Sequence, residues 1–142
     1  MYSQKDPRWA NIKINIQTLG KVGCLITSLA NIYESYHKVI LTPAEMLERL
    51  KVHKGITRDD LVIWEAVYHA LGCKKIDINY IGEITYGINC YYIVNYINYG
   101  TGHFTNLLER ISENRLRVFD VYEGKQEIKR LKEIRRVVRI EF

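Results

Sequence analysis

Residues 21–37 read KVGCLITSLANIYESYH. Leu25, Leu29, Ile32 and Tyr36 recur at helical spacing, so the segment after Gly23 is an amphipathic helix with Cys24 in its first turn. A cysteine in that place has two readings. It is a small apolar residue of the core, or it is a thiol at the positive end of a helix dipole, where a thiolate is favoured. The rest of the chain has to decide between them.

Further helices follow. In TPAEMLERL, Thr42 can cap, Pro43 suits the first helical position and Glu45 completes a capping box. TRDDLVIWEAVYHALG repeats the logic, with Thr57 as cap, Asp60 three residues on, a buried stripe of Leu61, Trp64, Val67 and Leu71, and Gly72 as the stop. The second half changes character. KIDINYI, CYYIVNYI, HFTNLLERI, RLRVFDVY and RRVVRIEF are rich in β-branched and aromatic residues, and Gly82, Gly87, Gly100, Gly102 and Gly124 punctuate them. Helices first and strands after predict an α+β fold, N-terminal helices packed on a C-terminal antiparallel sheet. With 47% hydrophobic residues and no repeat, linker or boundary, residues 1–142 are expected to form a single domain.

Bulk properties narrow the function. The net charge is +5, and much of the excess lies in KQEIKRLKEIRRVVR near the C-terminus. A basic balance suits an anionic partner such as nucleic acid or cell wall. Acidic residues interleaved in the same stretch favour a solvated face instead, and no nucleic-acid partner is expected. No apolar run is long enough to span a bilayer. MYSQKDPRWA is polar from the start, which argues against a standard secretory leader and for a cytoplasmic or phage-associated protein. Cys24, Cys73 and Cys90 are odd in number with no close pair, so no disulfide framework is expected. No C-x-x-C or H-x-x-x-H spacing occurs, so neither a metal site nor a cofactor is expected.

A thiol nucleophile needs an imidazole partner. His37 and His69 fall late in predicted helices, and His53 lies in a polar loop. His103 stands in NYGTGHFTNLL, where glycines lead into a strand and let backbone and substrate approach closely. A third group should orient the ring. Asp120 ends the next predicted strand, and an antiparallel hairpin brings it back to the edge that carries His103. Asn106 is the other candidate for that place, but it lies three residues after His103 in the same strand, a poor position from which to orient the ring. Helix-start Cys, strand His and strand-end Asp follow the chain order of papain-type enzymes.

YSQKDPRWANIKI followed by TLGKVGCLITSLANIY resembles the papain-like cysteine peptidases related to the bacteriocin-leader-processing (double-glycine-leader) family. The matching residues are Gln4, Asp6, Trp9, Ala10, Gly23 and Cys24, and the likeness continues through LTPAEMLERLKVHKGIT, LVIWEAVYHALG and GHF. It is not specific between Lys74 and Tyr99. The resemblance implies a papain-like fold and a catalytic set of Cys24 as nucleophile, His103 as general base and acid, Asp120 as orienter of the ring and Gln4 as side-chain oxyanion donor. The family often has Asp-Pro where this chain has Asp120-Val121, a different turn after the same carboxylate. Gln4 stands so near the start of the sequence that an arm ordered only by substrate or a partner is expected.

The function expected is therefore hydrolysis of an amide bond in a peptide, including the stem peptides of peptidoglycan in a phage-associated wall hydrolase. The alternative is a non-catalytic papain-like binding or virion-assembly module that keeps its cysteine by descent.

Overall fold

The computed structural model describes residues 1–85, 87 and 89–142. It is an α+β chain. Four helices come first: α1 (Leu19–Val22), α2 (Cys24–His37), α3 (Pro43–Val52) and α4 (Trp64–Leu71). Six strands follow: β1 (Lys75–Asp77), β2 (Cys90–Asn98), β3 (Thr101–Ser112), β4 (Arg115–Asp120), β5 (Lys125–Arg130) and β6 (Arg136–Glu141), with a short 3-10 turn at Leu131–Glu133. All neighbours pair antiparallel in the order β1-β6-β2-β3-β4-β5. Among the described residues, no helix is long and apolar enough to cross a membrane.

Helix α3 starts as its sequence demands. The Thr42 hydroxyl accepts from Glu45 N at 3.2 Å, the Glu45 carboxylate accepts from Thr42 N at 3.2 Å, and Pro43 occupies the first turn. The expected start of the next helix at Thr57 is corrected. Helix α4 begins only at Trp64, and Leu61 is 64% exposed rather than part of a buried stripe. The Thr57 hydroxyl takes the amide of Leu61 at 3.0 Å, a local turn that competes with helix. Asp60 adopts φ 65° and turns its carboxylate away to accept the amides of Asn15, Ile16 and Gln17. Its side chain staples the loop before α1 to the loop before α4.

The sheet buries both faces at its centre. Ile93, Val138 and Ile140 pack with Leu29, Met46, Leu47 and Leu71 from the helices. Val94 and Tyr96, one position out of phase along β2, pack with Val118 in a second core. Lys129 on edge strand β5 lies 4.4 Å from the ring centroid of Tyr96, three strands away. In a flat sheet those strands would stand about 14 Å apart, so the sheet is rolled over this second core. KQEIKR, part of the basic stretch, forms the edge strand β5 itself, with alternating exposed and half-buried residues.

A buried amide pair ties the helices to the sheet. Asn31 Nδ2 of α2 donates to Asn106 Oδ1 of β3 at 2.9 Å, and Asn106 Nδ2 donates to the Ser28 carbonyl at 3.0 Å. Asn31 Oδ1 also accepts the amide of Tyr2 at 2.6 Å. Both asparagines are 2% exposed. Asn106→Ala removes both of these bonds and leaves one amide proton of Asn31 without its partner in the interior, which costs about 1–3 kcal/mol. Urea unfolding of the variant is expected to show that loss, whereas a shift below about 0.5 kcal/mol would mean that water replaces the side chain without penalty.

Candidate active site

The N-terminal arm is built by a local turn. The Asp6 carboxylate accepts from Arg8 N at 2.9 Å, and the Asp6 carbonyl accepts from Ala10 N at 2.8 Å. This turn buries Trp9, whose indole N–H donates to the Ser3 carbonyl at 2.8 Å. It also sets Ala10 against Gly20, where a Cβ would stand 3.0 Å from the Ala10 carbonyl oxygen. Gly23 then links α1 to α2 through a passage with no room for a side chain: its Cβ would lie 2.5 Å from the Leu19 carbonyl oxygen. The outcome is that Cys24 is the first residue of α2, among amides that have no partner within the helix.

Strand β3 brings His103 to the same cleft, and β4 ends at Asp120 beside it. The two side chains are 6% and 2% exposed. His103 Nε2 is bonded to Asp120 Oδ1 at 2.8 Å, and the same carboxylate oxygen accepts the amide of Tyr122 at 2.9 Å. With Nε2 engaged, Nδ1 is the ring nitrogen left over, and Cys24 stands near enough to raise the hold of the ring on its proton. The rings of Tyr96 and Tyr122 meet the imidazole edge to face, at centroid separations of 5.5 and 6.3 Å. Cys24 and His103 thus line one cleft, with Asp120 behind the ring.

Electrostatics favour the charged ring. Burial alone would hold His103 neutral, but the hydrogen bond to Asp120 and then the neighbouring Cys24 outweigh it, and the pKa rises from 6.5 to about 9. Burial likewise works against the Asp120 carboxylate, and the bonds from His103 and the Tyr122 amide overcome it and hold its pKa below the ordinary carboxylate value. The other thiols differ. Burial pushes Cys73 up to about 11, and the Cys90 sulfur accepts from the Arg139 guanidinium at 2.9 Å, outside this cleft.

The cleft has a volume of about 480 Å³ and is lined by Gln4, Cys24, His103, Leu61, Tyr99 and Tyr122, among others. Gln4 is not a frayed residue awaiting substrate. It is 1% exposed, and its amide donates to the Val121 carbonyl at 2.7 Å. The reason is that Tyr2 and Trp9 anchor the arm on either side of it. Its side-chain nitrogen donates to the carbonyls of Leu19 at 3.4 Å and Gly20 at 3.2 Å, and its Oε1 is buried without a partner. Both bonds are long, so a stronger acceptor in the cleft can draw one of the two protons. Asn106 does not orient His103, because it is spent on Asn31 and Ser28. Three further contributors differ in what the sequence shows of them. Asn31 was one visible clue, a polar residue inside an otherwise apolar helical stripe, whereas Asp60 and Tyr96 act through contacts that only the folded chain makes.

The paired shifts set opposite pH windows. His103 is raised in the folded state, so its contribution to stability is complete below pH 6.5 and is lost as pH rises through about 9. Asp120 is lowered, so its contribution is present above its ordinary pKa of 3.8 and is lost as pH falls through the depressed value. Asp120→Asn removes the charge that holds the imidazolium. The His103 ring titration, followed by NMR, is expected to move down by about 1–3 pH units. A midpoint that stays in place would show that Asp120 does not govern the ring.

No protein-family model, curated protein or solved structure matches the chain, so the reading of the cleft rests on the geometry of its own residues.

Proposed function

We propose that the protein is a papain-like cysteine hydrolase that cleaves an amide bond in a peptide. The observation that carries this reading is that the one cysteine opening a helix lines a cleft together with His103, whose ring is held from behind by the buried Asp120. In the first step the Cys24 thiolate attacks the substrate carbonyl carbon, and the carbonyl π electrons move to oxygen. The first-turn amide of Cys24, with the side chain of Gln4, offers donors to that oxyanion. The tetrahedral adduct collapses, and the C–N bond breaks as imidazolium Nδ1–H of His103 gives its proton to the leaving amine. Water then attacks the thioester, gives its proton to the neutral ring, and releases the acid and the thiolate. Asp120 keeps Nε2–H engaged throughout, which leaves Nδ1 facing the reaction.

The substrate class is a peptide, with the stem peptides of peptidoglycan as one form of it. The alternative, a binding or assembly module with a retained cysteine, makes the opposite prediction for thiol reactivity. Iodoacetamide is expected to label Cys24 far faster than Cys73, whose thiol burial pushes up to about 11, and Cys24→Ala is expected to abolish cleavage in peptide libraries and purified sacculi. Equal labelling of all three thiols would favour the module.

Gln4 gives a separate check. Removing one oxyanion donor typically lowers turnover by about 10²–10³. Gln4→Ala is expected to do so while Cys24 alkylation, which builds no oxyanion, keeps its rate. If Gln17→Ala shows this pattern instead, the donor is Gln17, which also lines the cleft.

A further inference from the structure

The β2–β3 hairpin turns in two residues, Tyr99 and Gly100, between the paired Asn98 and Thr101. Both carry positive φ, 49° and 80°. Such a turn matches strand twist, and its preferred sequence is Asn-Gly. Glycine meets the requirement at the second position. A tyrosine at the first is a bulky side chain in the left-handed region, which is uncommon and costs energy.

Packing does not explain the tyrosine. Tyr99 is 80% exposed, so its ring contributes little to the core. It is nonetheless placed. The ring lies 6.2 Å from that of Tyr122 at an interplanar angle of 60°, and its hydroxyl reaches Glu123 at 3.4 Å. Tyr122 in turn meets the imidazole of His103 and carries Lys5 Nζ 3.7 Å from its own ring centroid. Tyr99 and Tyr122 thus form an aromatic corner on the cleft that holds Cys24. The tilt between the rings leaves a wedge rather than a flat platform. A wedge suits an inserted side chain, whereas a sugar face needs a plane to stack on.

The same cleft is lined by Leu61, 64% exposed and next in the chain to the Asp60 staple. An exposed leucine and an exposed tyrosine facing one volume make an apolar mouth. We infer that Tyr99 is a specificity-determining residue, whose ring receives an apolar or aromatic side chain of the peptide beside the bond to be broken. This deepens the hydrolase reading above and rests on it.

The test uses two alkylating probes on the intact protein, chloroacetamide and N-benzyl chloroacetamide, with Cys24 labelling read by peptide mass spectrometry. Neither probe needs turnover. The wild-type chain is expected to favour the benzyl probe, and Tyr99→Asn to lower that preference about tenfold, the scale of a lost apolar contact in a pocket. The same substitution installs the residue that the turn prefers, so Tm is expected to rise by a few degrees. Tyr99→Phe keeps the ring and should keep the preference. An unchanged preference in Tyr99→Asn, or a loss in Tyr99→Phe equal to that in Tyr99→Asn, would overturn the assignment, and so would a fall in Tm. If instead Cys24 in the wild-type chain reacts no faster than Cys73 and Cys90, it is the hydrolase reading that fails.

Discussion

The bond between Asn31 and Asn106 is the contact on which the rest of the arrangement depends. It joins residues 75 apart in sequence and lies away from water, where an amide without a partner is costly. One asparagine belongs to the helix that Cys24 opens, and the other to the strand that carries His103. Because Asn31 also accepts the Tyr2 amide, the same pair fixes the arm that ends in Gln4. Apolar packing between α2 and β3 would allow sliding, since greasy surfaces tolerate small displacements. Directional bonds do not. The amide pair selects one register of helix on strand, and that register is the one in which Cys24 and His103 line the same cleft.

The cleft itself works against stability in a controlled way. His103 and Asp120 are nearly buried, and each is charged at a cost that the other helps to offset. Tyr96 sits against the imidazole with its hydroxyl buried and unpartnered, and burial pushes its phenol far up. It stays neutral at any ordinary pH and brings no charge to the ring it meets. Lys129, drawn over the ring of Tyr96 by the roll of the sheet, adds a cation on the far side of the second core. The ionic pair is thus surrounded by groups that hold its shape and do not compete for its proton.

What could be read from sequence was what local chemistry determines. Gly23 followed by an apolar helical stripe marks the start of α2, the Thr42–Glu45 box marks α3, and a strand ending in Asp after a strand starting with His implies a hairpin. Cys24, His103 and Asp120 could be named for that reason, whereas Gln4 was named only through the resemblance of the N-terminal segment, and its hydrogen bonds could not be read at all. The misread segment, 57–63, carries a helix-start pattern, but its outcome is decided by three amides of a loop more than forty positions earlier. No window on the sequence contains that interaction. The same holds for strand order, since the residues of β6 look alike wherever in the sheet they are placed.

That strand order bears on when the cleft can exist. Strand β6 lies between β1 and β2, and β1 has no other partner. Gln4 is bonded to Val121, and the Trp9 anchor depends on the same arm. During synthesis the helices and the β2–β3 hairpin emerge with most of their neighbours still missing. The arm has α2 to dock on early, through Tyr2 and Asn31, but its bond to Val121 waits until β4 has turned at Asp120, and the sheet has a gap until β6 enters it. Contacts of long sequence separation close late, because chain entropy must be lost before they return any energy. A nascent chain therefore carries Cys24 without His103 and Asp120 beside it, and the cleft is complete only with the last third of the polypeptide.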